Sequence, residues 1–347
     1  MEIKRAVRHV LLAITGIAVA LCIPASFGDN MVKIRLGTLA PKGSTYHRAL
    51  QEMGEKWRQA QGSAASFVIY TDGTQGGEAD MVRRMRVGQL NAALVSVVGL
   101  MEIDRSVSAL QYMPMVFREW GEVDYVRDHL REQLERRLFD RGFVVLFWGD
   151  AGWVRYFTKE PIVHPSDFKR MRIFAWNGDS NTVDIMKAMG YQPVPLETSD
   201  ILPGLQTGLI NVVPSGAYYA LSGQFNTVVR HMIDVKWVPI VGAAVVTRRA
   251  WDLMTPYARE QLRTAALDAG TKIRDRARVE DSEAIDAMRK RGLSITAATP
   301  EVEAEWRRLA EEAYPRIRGS MVPAELFDQV RQLVREFRGR AKSAARF

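Results

Sequence analysis

The residue whose type best suits holding a small acidic molecule is Arg155, in GDAGWVRYFT, just after an apolar run. A guanidinium is a planar fork that can clamp a carboxylate through two parallel hydrogen bonds. Trp148, Trp153, Trp176 and Trp237 all fall at or just past expected strand ends, and Tyr218 and Tyr219 follow the serine of LINVVPS. Small-molecule sites are mostly apolar with a few oriented polar groups, so this set points to binding. Each member has a plainer alternative: a lone tryptophan is more often core, and a lone arginine is as readily on the surface.

Catalysis finds much less support. His47, His129, His164 and His231 stand alone, none at metal-ligand spacing, and the fifth histidine, His9, lies near the N-terminus. No G-x-S-x-G turn is present. TDGTQGG is glycine-rich after a strand, but it lacks the Lys-Ser/Thr of a phosphate loop; it suits a close backbone approach to a ligand or partner, with Gln75 inside it. Acidic residues such as Asp72, Glu78 and Asp150 are scattered, so no carboxylate pair emerges. No metal, no cofactor and no enzyme activity is expected.

The 347 residues suffice for two domains with separate cores. MEIKRAVRH is a basic start and VLLAITGIAVALCIPA an apolar run, followed by Ser26 and Gly28 at positions suited to signal-peptidase cleavage; Ala25 offers an alternative cut. Residues 1–28 therefore read as a signal peptide, and the mature chain as periplasmic. Cys22 is the only cysteine and Leu21 precedes it, which disfavours a lipoprotein. Loss of the leader leaves no disulfide and no thiolate site. The formal charge of +8 falls to about +6 without it, part of the excess lying in the tail VREFRGRAKSAARF. With no nucleic-acid motif and an export signal, nucleic acid is not an expected partner.

Strands and helices alternate along the chain. VKIRLGTLA, ASFVIYTD and AALVSV read as strands, separated by helices over STYHRALQEMGEKWRQAQ and GGEADMVRRMRVG. GEVDYVRDHLREQLERRLFDRG is an amphipathic helix, and FVVLFWGDAG a strand running into a glycine turn. The pattern restarts with MRIFAW, SNTVDIMKAMG, YQPVPL, TSDILPGLQTG and LINVVPS, with Pro203 tolerable only in the first turn of its helix. HMIDVKW and VGAAVVTRRAW bring strands back, the second suited to rejoining the first sheet. From Pro256 to about Arg291 the chain is helix-forming, about 50 Å long at 1.5 Å per residue. Two further helices end the chain. This is α/β grammar with largely parallel sheets.

MRVGQLNAALVS and LQTGLINVVPS, in different halves, repeat one phrase: a glycine helix stop, an Asn, an apolar strand and a terminal serine. Ligands of open α/β sheets bind outside the carboxyl ends of the strands. Two such halves facing each other would put Ser96 and Ser215 on opposite walls of a cleft.

From about Val32 to Arg259 the chain resembles a solute-binding protein of the tripartite ATP-independent periplasmic (TRAP) transporters. The ordered set IYTDGTQGGEADMVRRMRVGQLNAALVS, VRYFTKEPIVHPSDFKRMRIF, MGYQPVPLETSDILPGLQTGLINVV and VGAAVVTRRAWDLMTP carries the resemblance. It implies a periplasmic binding protein of two α/β lobes, hinge strands and a long helix spanning both. Lobe I would comprise residues 29–150 plus about 240–265, and lobe II 151–239 plus part of 266–347. It also implies a small-molecule ligand and membrane permease subunits as partners. The family's clamp arginine, in a K-I-R-V strand, falls on Phe174 here; Arg172 lies two residues back, about 6.6 Å away along the same strand face. The family's asparagine falls on Ser215, and its second arginine on Arg155. The expected ligand set is Gln75, Ser96, Trp153, Arg155, Arg172, Phe174, Trp176, Ser215 and Trp237, taking an apolar or amphipathic molecule or an acid held differently. A sensor for a signalling partner and a periplasmic enzyme on the same scaffold are the alternatives.

Overall fold

The computed structural model describes residues 32–62, 65–177 and 179–344. The expected leader, its cleavage site and Cys22 lie outside the described residues. The first lobe opens with β1 (Val32–Thr38), α1 (Thr45–Gln61), β2 (Ala65–Tyr70), α2 (Glu78–Arg86), β3 (Ala92–Ser96) and α3 (Val97–Met101). Ser44 caps α1 by accepting from the His47 N–H at 3.2 Å. β1 pairs in parallel with β2 and β3, with Leu36 opposite both Ile69 and Ala92. A 3₁₀ turn at Arg105–Leu110 leads to α4 (Trp120–Asp140).

Next comes β4 (Phe143–Thr158), which departs from expectation: the strand does not stop in a glycine turn at GDAG. Gly152 takes φ +92°, a conformation open to glycine, and the register against the neighbouring strand shifts between Asp150 and Trp153. The bulge lets one strand bend from one lobe into the other.

The second lobe holds β5 (Arg172–Trp176), α5 (Ser180–Ala188), β6 (Gln192–Leu196), α6 (Ile201–Thr207), β7 (Val212–Gly216), α7 (Ala217–Ser222) and β8 (His231–Ile233). Pro203 does fall in the first turn of α6. Only His231–Ile233 of HMIDVKW is strand; β8 pairs with β4 and, in parallel, with the short β10 (Ser294–Thr296). β9 (Pro239–Thr247) returns to the first lobe and lies antiparallel between β3 and β4. The remaining helices are α8 (Arg248–Asp252), α9 (Pro256–Lys290), α10 (Pro300–Ile317) and α11 (Ala324–Ala344).

The two lobes do not carry separate sheets. One path runs β2-β1-β3-β9-β4-β7-β5-β6, and β4 and β9 knit the halves together. α9, about 50 Å long at 1.5 Å per residue, is the second tie. Leu262, Ala265, Ala269 and Ile273 sit in the first lobe's core with Leu36, Leu50 and Trp57, while Ala284 and Met288 sit in the second lobe's core with Phe157 and Leu205. Small residues on its buried face let the helix lie close against both.

Candidate ligand site

The repeated phrase builds the same device twice. Gly88 and Gly208 end α2 and α6 with φ of +78° and +77°. Asn91 Oδ1 then accepts from the backbone N–H of Arg35 at 3.1 Å, and Asn211 Oδ1 from that of Arg172 at 2.8 Å. In each half the arginine of the adjacent parallel strand turns its Nη2 onto the glycine carbonyl, Arg35 on Gly88 at 2.6 Å and Arg172 on Gly208 at 2.5 Å. Carbonyls at a helix C-terminus carry partial negative charge and lack helical partners. Arg172 is therefore a helix-end cap on an exposed edge, matched by Arg35, and its guanidinium is directed away from the cleft.

Beyond these strands the carboxyl ends of β3, β5 and β7 meet around a cavity of about 110 Å³. Ser96 and Ser215 both line it, one from each lobe, together with Phe174, Trp176, Tyr219 and Glu78. Ser96 caps α3 and donates its hydroxyl to Glu78 Oε2 at 2.6 Å. Glu78 also accepts from the Ser96 N–H at 2.8 Å and the Gly99 N–H at 2.9 Å. Desolvation still outweighs these bonds and raises the carboxyl above its ordinary value. Burial, then the nearby Glu78 and Tyr218, push the Tyr219 hydroxyl well up.

Arg155 lies beneath this cavity, outside its lining. Its Nη1 donates to Asp281 Oδ2 and its Nε to Asp234 Oδ1, both at 2.8 Å, and only 7% of its side chain is exposed. Burial works against the charge, but the two carboxylates outweigh it, so the guanidinium titrates above its ordinary value. Asp281, from α9, also accepts the Ala217 N–H at 3.3 Å, at the start of α7. Asp150, on the cavity wall, is likewise held by Arg127 at 2.6 Å and Arg278 at 2.7 Å.

A larger chamber of about 210 Å³ adjoins the first; Val154, Phe174, Trp176 and Pro214 line both. Its walls come from β4, β5, α5, α10 and the Gln111–Pro114 segment. Tyr156, Phe168, Trp237 and Trp306 form an aromatic box there. Tyr156 stands 4.9 Å from Phe168, 5.4 Å from Trp306 and 5.8 Å from Trp237, centre to centre. At the rim the Tyr112 hydroxyl donates to Asp179 Oδ2 at 2.9 Å.

Of the expected ligand set, Ser96, Phe174, Trp176, Ser215 and Trp237 line one or both cavities. Trp153 instead packs 4.9 Å from Trp120 in the first lobe's core, because the bulge at Gly152 reverses the side to which it points. Gln75, in the turn before α2, is outside both linings. Tyr219, singled out beside Tyr218 in the sequence but left out of the ligand set, lines the smaller cavity, whereas Glu78, Tyr156 and Trp306 were not read as ligand residues. Of these three, Glu78 carried a local signal, lying at the first position of a helix that follows a glycine-rich turn.

Because folding raises the Glu78 pKa, ionising it opposes folding: the native state holds the proton more tightly, so stability falls as pH climbs from 4.5 through the raised value. The Tm difference between Glu78→Gln and the parent is expected to move in the variant's favour as pH rises from about 4 to about 7. A difference that stays flat, read by thermal melts across that range, would contradict it.

Residues 36–319 match the family model described as bacterial extracellular solute-binding protein, family 7, named DctP. A solute-binding protein of Roseobacter denitrificans is 24% identical over 63% of this chain and 66% of its own length. The C4-dicarboxylate-binding periplasmic protein DctP of Rhodobacter capsulatus is 20% identical over 92% of this chain and 94% of that protein. A TRAP periplasmic solute-binding protein of Ralstonia eutropha, solved with bound (S)-2-acetolactate, superposes with a TM-score of 0.81 at 18% identity, covering 88% of this chain and 99% of that one. The family comprises transport solute-binding proteins. With 36–319 matched and the two-lobed α/β fold in place, the chain belongs to the family 7 bacterial extracellular solute-binding proteins.

Proposed function

We propose that this protein is the periplasmic receptor of a TRAP-type secondary transporter, capturing a small organic molecule between its lobes and delivering it to membrane permease subunits. The carrying observation is the cavity walled by the carboxyl ends of β3 from one lobe and of β5 and β7 from the other. Only a closed form touches a ligand from both walls, so ligand binding favours closure, with the bulge of β4 as the flexing point. The family match over 36–319 and the basic, apolar N-terminus support export and transport. The bound set is Ser96, Phe174, Trp176, Tyr219, Ser215 and Trp237.

Native mass spectrometry of the protein as purified tests this reading. The expected result is a non-covalent complex that releases one small organic molecule, recovered unchanged after re-addition to the protein. Chemical conversion of that molecule on incubation would favour an enzyme on this scaffold instead. Unimpaired uptake of the same compound in a strain lacking the protein would remove the transport role.

A further inference from the structure

Both cavities lack a free charged group. Among the described residues lining them there is no Lys, Arg or His. Three carboxylates reach the walls, and each is already engaged. Glu78 is held by Ser96 and Gly99, Asp150 by Arg127 and Arg278, and Asp179 by Tyr112 and Thr182 at 2.9 and 2.7 Å.

The places where an anion could have been received are filled from within. The amides at the start of α3 point at the side chain of Glu78, and the first amide of α7 at that of Asp281. The buried arginines near the cleft are already paired, Arg155 with Asp281 and Asp234 and Arg127 with Asp150 and Asp124. Inside these two cavities an anionic ligand would meet no unpaired cation, Arg83 and Arg105 lying in the adjoining groove, and a buried charge without a partner is costly. A cation would have to compete with Arg127, Arg278 and the amide donors for carboxylates that already have partners.

The chamber, by contrast, is built for an apolar body. At about 210 Å³ it exceeds the roughly 150 Å³ of an engineered apolar cavity that takes up benzene. Aromatic rings and Met186, Met189 and Met321 line it, the methionines supplying adaptable packing. Gln111 supplies a polar handle: its carbonyl oxygen accepts the Val241 N–H at 3.1 Å, leaving its amide donor for a guest.

Resting on the receptor reading, we infer that the ligand is an uncharged, ring-bearing organic molecule with a hydrogen-bond acceptor, whose apolar body occupies the chamber between β5, α5 and α10. This separates the protein from relatives named for C4-dicarboxylates, because carboxylate recognition has been replaced by internal ion pairs.

Isothermal titration of the full mature chain with benzyl alcohol and with benzoate, matched in size and differing in charge, tests the inference. Succinate and D-glucuronate are run beside them. Benzyl alcohol is expected to bind at least about tenfold more tightly than benzoate, with the two other acids silent. Met186→Trp, which fills the chamber, is expected to lose at least about tenfold in benzyl alcohol affinity while melting as a folded protein. Should it fail to fold, Leu309→Phe makes the same test. Equal or tighter binding of any of the acids overturns the inference and leaves the receptor reading standing. Undiminished affinity in the folded filled-chamber variant also overturns it. Absence of heat from all four compounds, with no molecule carried through purification, overturns both.

Discussion

Asp281→Ala is expected to lower the unfolding free energy by about 3–5 kcal/mol, the usual cost of stranding one member of a buried ion pair. Arg155 and Asp281 are each 7% exposed in their side chains and meet at 2.8 Å. Asp234, the other partner, is 49% exposed and holds the guanidinium from the solvent side, so it compensates only in part. The substitution also leaves the Ala217 N–H without its acceptor at the start of α7. Because Asp281 stands on α9 and Arg155 on β4, the pair fastens the spanning helix to the strand that joins the lobes. Urea denaturation reads the loss as a fall in the midpoint at unchanged slope. Arg155→Met in the Asp281→Ala background should recover a substantial part of it, since removing both charges spares the cost of a lone one. A double variant no more stable than Asp281→Ala would show that the pair is not the source of the loss.

Trp306→Ala is expected to cost a similar amount, about 3–5 kcal/mol, for a different reason. The indole is 2% exposed, packs edge-on against Phe168 and Trp237, and donates its Nε1–H to the Val163 carbonyl at 2.9 Å. Truncation removes apolar contacts, opens a void beside the chamber and orphans that carbonyl. Trp306→Phe keeps most of the ring and should lose roughly half as much. Addition of indole should raise the Tm of Trp306→Ala more than that of the parent, since the void has the shape of the deleted group. Equal Tm shifts in the two proteins would place the void elsewhere.

Much of this was legible in local patterning. The alternation of VKIRLGT, the glycine stops at 88 and 208 and the apolar run of β9 each specified an element and its bounds to within a few residues. The doubled phrase with Asn91 and Asn211 identified two like-built halves, and the structure extends the likeness to the arginines on the neighbouring strands. The same logic failed at GDAG, where a glycine that usually stops a strand instead makes a bulge within one. Trp153 was misplaced with it: strand alternation predicts a facing only while register holds, and the register shifts there.

The charge of the site lay beyond any local reading. From sequence alone, Arg155 has the type and placement of a carboxylate clamp. Its partner Asp281 is 126 residues away on a helix with no feature to mark it, and only the docking of α9 across β4 brings the two to 2.8 Å. Glu78 and Ser96, on separate elements, meet in the same manner. Local patterning was enough for the order of strands and helices and for the two like-built halves, because these follow from periodicity and from backbone preferences acting over a few residues; the family came from the resemblance of an ordered set of motifs. The tertiary structure alone decided which charges are already paired and which surfaces are left to a guest, because electrostatic pairing depends on distance in space and on burial, and neither is written in the spacing of residues along the chain.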